Sequence, residues 1–410
     1  MRNRILVILS VILCTIFLCS AVHADEKAAD YLHEYYGVTF EGEVTKEAYN
    51  AALIAMGAEG VDCEILTLAD AVVGAVRLAG LEELALTYVN EKAPQKAAAI
   101  LADEHITVDD KFVPYVACAL ELGLVSDNND FSGSVNAETV ISMLYRAAEI
   151  AGKGRHYIGR LSDDDILTKA QSVMTSDLIF SEDVLDTVGI NILVEDASTG
   201  YSLKYNPDNA RFLEKFTIRY GHDNIIHLVQ LIGLLKSEDY DAYVQIERKV
   251  SVYEYMLEWG LPKAPTPTYV VKEMLPDRYF AFALEYELVL EFDTSEKKEE
   301  FHELIEAYAK KYDDRVDADG NIIKELLYQS FWQPLYYSLT EMENKEYEVL
   351  TDNVIFNADG DFSIHSISVA DKAEAVALAV ADVAPELKVE RETIYANPAF
   401  YRYLTGIDYQ

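Results

Sequence analysis

Cysteine is scarce, four in 410 residues, and so is proline, at ten. The first shortage excludes a small disulfide-stapled scaffold and the second an extended or collagenous chain. Positive charge is the third: 34 Lys and Arg stand against 71 Asp and Glu, a formal charge of −37. A chain so acidic repels phosphate backbones and anionic lipid, which argues against nucleic-acid and membrane-surface partners and favours cations or a cation-rich wall. Also missing are a Gly-x-Ser-x-Gly elbow, a phosphate loop, a Gly-x-Gly-x-x-Gly turn and any Cys-x-x-Cys pair. No cofactor and no catalytic residue is therefore assigned. What is present is globular material, half of it apolar, and long enough for roughly two to four domains.

Residues 1–24 open with Arg2 and Arg4, continue through the apolar run Ile5 to Cys19 and end in Ser20-Ala21-Val22-His23-Ala24. This is the layout of a secretory signal, with cleavage expected after Ala24. The apolar run is shorter than the roughly 20 residues a membrane-spanning helix needs. The expected location is outside the cell, at the wall or surface, with no membrane attachment after cleavage. Two cysteines remain, Cys63 and Cys118; one disulfide is an alternative, but Cys118 sits in a helix-like run and reads as a buried free thiol.

Residues 25–152 carry helical periodicity in Ala-rich runs. Three segments share a design in which a small polar residue leads into an apolar helix: Val44-Thr45-Lys46-Glu47, Leu66-Thr67-Leu68-Ala69-Asp70 and Val135-Asn136-Ala137-Glu138. Thr45, Thr67 and Asn136 are the expected N-caps, because their oxygens can accept from the orphan amides of a first turn. Ahead of the third lies Tyr115 to Val125, a helix with a glycine stop at Gly123, and the helix that follows contains Met143-Leu144-Tyr145-Arg146. This stretch resembles the S-layer homology repeat of bacterial surface proteins, with Leu66 to Gly80 and Val44 to Gly57 as partial copies. The resemblance implies helical repeats that bind an anionic wall polysaccharide, with contacts from Lys46, Thr45, Thr67, Asp70 and Arg146. At the arginine position of the family motif this chain has Lys46, Leu68 and Ala137, so only Lys46 keeps a charge for an anionic polymer.

Residues 153–204 read as a connector or degenerate repeat. Over 205–261 an alternating run, the apolar Ile225 to Leu235 segment and a second alternating run predict a β-α-β module. The prolines of 262–268 suggest a linker, and 269–410 an α+β domain built as a two-layer sandwich. Within it, Phe280, Phe282, Leu284, Tyr286, Leu288, Leu290 and Phe292 share one parity, while Glu285, Glu287 and Glu291 share the other. That predicts a long strand with one dry and one acidic face. The expected fold class is thus multidomain: all-α repeats followed by α/β and α+β modules.

Residues that suggest chemistry are few. His302-Glu303-Leu304-Ile305-Glu306 lacks the second imidazole of a zinc-protease helix and reads as a polar surface face. Asp317-Ala318-Asp319-Gly320-Asn321-Ile322 has the centre of a calcium loop but neither of its end ligands and reads as a turn, so no metal is assigned. His222 and His227 are expected on different faces. Tyrosine is abundant, at 28, and Tyr35, Tyr36, Tyr336 and Tyr337 are candidates for saccharide or protein contact. The leading functional reading is a non-catalytic envelope protein, partnered by cell-wall polysaccharide or a surface protein. The alternative is a secreted hydrolase of wall polymer or peptide, whose carboxylates the spacing does not localise.

Overall fold

The computed structural model describes residues 27–90, 95–126, 130–173, 179–308, 335–343 and 347–405. The expected signal segment and the Asp317 to Ile322 turn lie outside them. The chain divides between Arg155 and His156 into two compact units.

The first unit is helical: α1 (27–36), α2 (Lys46–Ala55), α3 (Leu68–Leu78), α4 (Glu82–Thr87), α5 (Lys96–Asp103), α6 (Val113–Glu121) and α7 (Ala137–Ile150). The caps fall where the side chains predict. Thr45 accepts from the Ala48 amide, Asn136 from Thr139, and Thr67 with Asp70 forms a reciprocal capping box. α6 stops at Gly123, whose φ of 65° is left-handed, a conformation glycine adopts without a Cβ penalty. α3 is the centre of the unit, packed against α2, α4, α6 and α7, and its Ala71, Val72, Ala75 and Val76 are fully buried. Removing a Val side chain from water stabilises by about 1.5–3 kcal/mol, so this stripe contributes to the cohesion of the unit. Cys63 and Cys118 are both free thiols.

The three capped starts meet at one hub. Val44 N donates to Val135 O, Ala137 N to Gly42 O and Leu68 N to Gly133 O, and isolated bridges join Glu43 to Asn136 and Thr67 to Ser134. Short loops of similar design thus satisfy one another's backbone groups where three helices begin.

The second unit overturns the expected modules. Its elements are β1 (Gly159–Arg160), α8 (Ile166–Ser172), α9 (Asp183–Val194), β2 (Gly200–Tyr205), β3 (Thr217–His222), α10 (Ile225–Ser237), β4 (Ala242–Tyr255), β5 (Tyr269–Leu275), β6 (Arg278–Phe292), α11 (Ser295–Tyr308), β7 (Leu335–Ser338), β8 (Glu348–Phe356), β9 (Phe362–Ser368), α12 (Ala373–Val383), β10 (Val389–Ala396) and α13 (Pro398–Leu404). All strands join one sheet, and every ladder among the described residues is antiparallel. The order β4-β2-β9-β8-β10-β7-β3-β6 returns to β4, so eight strands close into a barrel, with β1 and β5 extending the edges of β4 and β6. A two-layer sandwich is therefore wrong, as is an α/β module with neighbouring parallel strands. β3 and β4 do run the same way, but antiparallel β6 lies between them, which is a split β-α-β. The prolines of 262–268 lie between β4 and β5 of this one sheet.

Closure has a physical reason in the two longest strands. β4 and β6 pair from Ala242 opposite Phe292 to Tyr255 opposite Tyr279, and a strongly twisted ladder of that length coils until other strands bridge its two edges. The dry parity of β6, from Phe280 to Phe292, faces outward into an apolar cluster with Leu185, Leu228, Leu231, Phe301, Val376 and other helix residues. Gly189 on α9 lets that helix close on β2, since a Cβ there would lie 2.4 Å from the Tyr201 ring. The acidic parity points the other way, into the barrel.

Candidate functional site

Pairing register alone fixes which side chains share the lumen. Residues opposite one another in an antiparallel ladder lie on the same face, so the sets Lys204, Lys249, Glu285 and Glu287, Glu247, Gln245, Val289, Arg219 and Tyr337 all point inward. Continuing round the ring, Ser363 and His365 on β9, Asp352 and Leu350 on β8, and Glu392 and Ile394 on β10 join them. Glu247, Glu287 and Glu291 are at most 4% exposed. The face that alternation marks as acidic is therefore interior, not solvated.

The centre is an ion network. Lys204 Nζ lies 2.5 Å from Glu287 Oε2 and 3.4 Å from Glu247 Oε2, and Lys249 Nζ lies 3.5 Å from Glu287 Oε1. Tyr337 donates to Glu287 Oε1 at 3.2 Å. Burial works against charge on both sides, yet the facing charges outweigh it. The Lys204 ammonium is held above the ordinary lysine value, and Glu287, beside Lys204, Lys249 and Arg219, falls below the ordinary carboxylate range. Burial pushes the Tyr337 phenol well up, so it stays a donor.

The segment between β2 and β3 meets the network at one end. Glu247 accepts from the Ala210 amide and Glu291 from the Leu213 amide, while Arg219 grips Glu214 through both carboxylate oxygens at 2.5 and 2.6 Å. Lys298 on α11 ties this segment down by donating to the carbonyls of Glu214 and Lys215 and to Thr340 Oγ1. Burial pushes the Lys298 ammonium down to about 7. On a different side of the lumen, Phe400 of α13 joins Tyr337, Leu350 and Ile394 in a small apolar cluster.

Beside the network runs a chain of a different kind. His365 Nδ1 lies 2.7 Å from Asp352 Oδ2, and His365 Nε2 lies 3.1 Å from Ser363 Oγ. The order Asp-His-Ser is that of an activated nucleophile, but the proton accounting runs backwards. Asn206 donates its amide to Gly360 O, which leaves its oxygen facing Ser363, and the Ser363 hydroxyl donates to it at 2.7 Å. With that proton engaged, Ser363 has none to give His365, and the imidazole is not placed as its base. Ser363 is also fully buried. Asp352 Oδ1 is buried and has no hydrogen-bond partner among the described residues.

The residues expected from sequence fall elsewhere. Thr45, Thr67 and Asp70 use their side chains as caps. Lys46 Nζ donates to the Cys63 carbonyl and lies 3.7 Å from Asp62, and Arg146 pairs with Glu149 on its own helix. All five belong to the helical unit, with Thr45 and Thr67 in the hub loops, Lys46 at the start of α2, Asp70 on α3 and Arg146 on α7. Tyr336 and Tyr337 are buried, not exposed, and Tyr36 donates to Lys153 O. His302 meets the Tyr336 hydroxyl instead of lying on a polar face. His222 and His227 also meet, at 3.2 Å, because the first lies on β3 and the second on α10. Among the described residues no group of three His, Cys, Asp or Glu is arranged to hold a metal ion, and no helix is long and apolar enough to cross a membrane. The lumen residues carried one signal that alternation alone did not use: Lys204, Arg219 and Lys249 share the inward parity of strands that otherwise read as core. No family model matches this chain, and neither the curated proteins nor the solved structures contain a match to it.

Proposed function

We propose that this is an exported, non-catalytic protein of the cell envelope whose barrel is a binding module. In this reading the helical unit associates with wall polysaccharide. One observation carries it: ionised side chains converge on the inward face of a closed barrel. A buried ion pair adds little net stability over an apolar pair of the same volume, so a lumen built this way is better explained by what it recognises. The observed pairing favours binding over catalysis, since Lys204, Glu247 and Glu287 are matched to one another. The N-terminal sequence supports export, and the hub of capped loops is consistent with the repeat resemblance. Lys46 and Arg146 leave the helical unit only weak means of holding an anionic polymer.

The test is co-sedimentation of the mature chain with purified walls, alongside a glycan array. Binding to walls or to a glycan that survives Ser363→Ala supports the reading, and failure to bind either overturns it. A second reading, hydrolysis, is favoured by the Asp352-His365-Ser363 chain. Turnover of wall polymer or peptide that Ser363→Ala abolishes would establish it.

A further inference from the structure

The two mouths of the barrel are covered by different means. Where β4 begins, the segment between β2 and β3 fills the opening. Its Ala210, Phe212 and Leu213 are at most 1% exposed, and Phe212 packs with the inward Val289 and Tyr243. The Ala210 and Leu213 amides are bonded to Glu247 and Glu291. This cover is locked, because lifting it would strand buried carboxylates without their donors.

Where β4 ends, the cover is α13. Tyr337, Leu350, Ile367, Ile394 and Ala396 all have inward register, and they form an apolar collar with Phe400, Tyr401 and Leu404 of this helix. The chain leaves β10 at Asn397, which is fully buried, donates to Tyr336 O and accepts from the Phe400 amide. At the far end of the helix Leu404 O accepts from Thr199 Oγ1 at 3.4 Å, just ahead of β2. α13 therefore crosses the opening from β10 to β2.

The second cover is held more lightly than the first. No residue of α13 is buried, whereas Tyr337, Leu350, Ile394 and Ala396 beneath it are at most 6% exposed. A helix of seven residues is too short to persist without its packing. Phe400 supplies some of that packing, with its ring centroid 5.9 Å from that of Tyr337. Ser202, Lys249, Ser251, Glu285 and His365 share the inward register and are only partly buried. With the other mouth sealed, the route to them passes α13.

We propose that α13 is a lid on the barrel: it lifts from the apolar collar while Asn397 holds its other end, and it opens the lumen to solvent with the barrel still folded. Lifting exposes apolar side chains but breaks no buried ion pair. The open form is thus a minor population set by local packing and not by the stability of the ring. On the reading of the barrel as a binding module, this is the way in.

The experiment is maleimide labelling of the mature full chain carrying Leu350→Cys, read by peptide mass spectrometry beside amide hydrogen exchange of the β4 and β6 peptides. Leu350 is fully buried in the collar, so its replacement thiol reacts only when the collar is uncovered. The opening constant from labelling is expected to be at least tenfold larger than that from the β4 and β6 amides. Phe400→Ala should raise it at least tenfold further and leave β4 and β6 protection unchanged. Ile394→Cys, read the same way, guards against a packing defect in a single variant, and the native Cys63 and Cys118 lie apart in the helical unit. Equal opening constants for thiol and ladder overturn the lid, as does a Phe400→Ala effect that speeds β4 and β6 as much as the thiol. No ligand enters this test, so its failure is distinct from a failure to bind walls or glycan.

Discussion

The helical unit and the barrel unit bury different chemistry. Among the described residues of the helical unit, Asp70 is the one buried charged side chain, and it is a cap. The barrel unit buries Lys204, Glu247, Glu287, Glu291, Lys298 and Asp352. One unit is held by apolar packing with its polar atoms used at helix ends. The other surrounds a charged interior with an apolar shell, so its outside is the core and its inside is ionic. The difference teaches where function is to be sought, because packing explains the first unit almost completely and leaves the second unexplained.

The largest expected effect tests that contrast directly. Lys204→Met leaves Glu247 without its cation and Glu287 with Lys249 alone, and breaking a buried pair from one side costs about 3–5 kcal/mol. Peptide-resolved hydrogen exchange should show that loss in the barrel unit and not in the helical unit. The double variant Lys204→Met with Glu247→Gln, which removes the stranded charge and keeps an acceptor for the Ala210 amide, should recover part of it. A loss under about 1 kcal/mol in Lys204→Met would mean that the lumen charges are solvated and the contrast is false.

Acid should separate the units next. Glu287 is held below the ordinary carboxylate range when folded, so its contribution is complete above that range and is lost as pH falls through and below it. Barrel protection should fall in acid before that of the helical unit does. Lys298 acts with the opposite sense. Its folded value near 7 lies below the ordinary lysine value, so the unfolded chain binds the extra proton and barrel stability rises as pH climbs from about 7 to about 10. Lys298→Met should flatten that rise in thermal melts recorded at several pH values; an unchanged slope would refute the assignment.

Smaller effects sharpen the helical side. Thr67→Ala removes one arm of the capping box and should cost about 1 kcal/mol of helical-unit stability in urea titration, leaving the barrel unit untouched. Lys46→Ala should weaken wall co-sedimentation by no more than about fivefold, since an exposed pair contributes roughly 0–1 kcal/mol. A larger loss would move the anchoring role back to this residue.

How much was legible follows the same division. Thr45, Thr67 and Asn136 cap where they were expected, because capping depends on a few neighbouring residues and little else. The alternation in β6 was also legible, down to which residues are dry. Its meaning was not, because alternation separates two faces without saying which one water reaches. A solvated acidic face and a buried one are identical in sequence until Lys204, Lys249 and Arg219 are known to lie opposite. That knowledge requires the register, and register is a property of strands far apart in the chain. β10 and its Glu392 escaped reading for a related reason: four charged residues among Lys388 to Glu392 conceal the strand.

The ring also has a timetable. Ser363 reaches Asn206 across 157 residues of chain, and β2 finds its neighbour β9 only when the last quarter of the polypeptide exists. The helical unit and the β4–β6 ladder use nearer partners and can assemble early. Until β8, β9 and β10 arrive, β2 and β7 have bare edges and the inward charges stand in open water. The final strands therefore do more than complete a circle: their arrival is the moment at which Lys204, Glu247 and Glu287 lose their hydration together. A truncation before β8 would leave the helical unit tethered to an open, association-prone sheet.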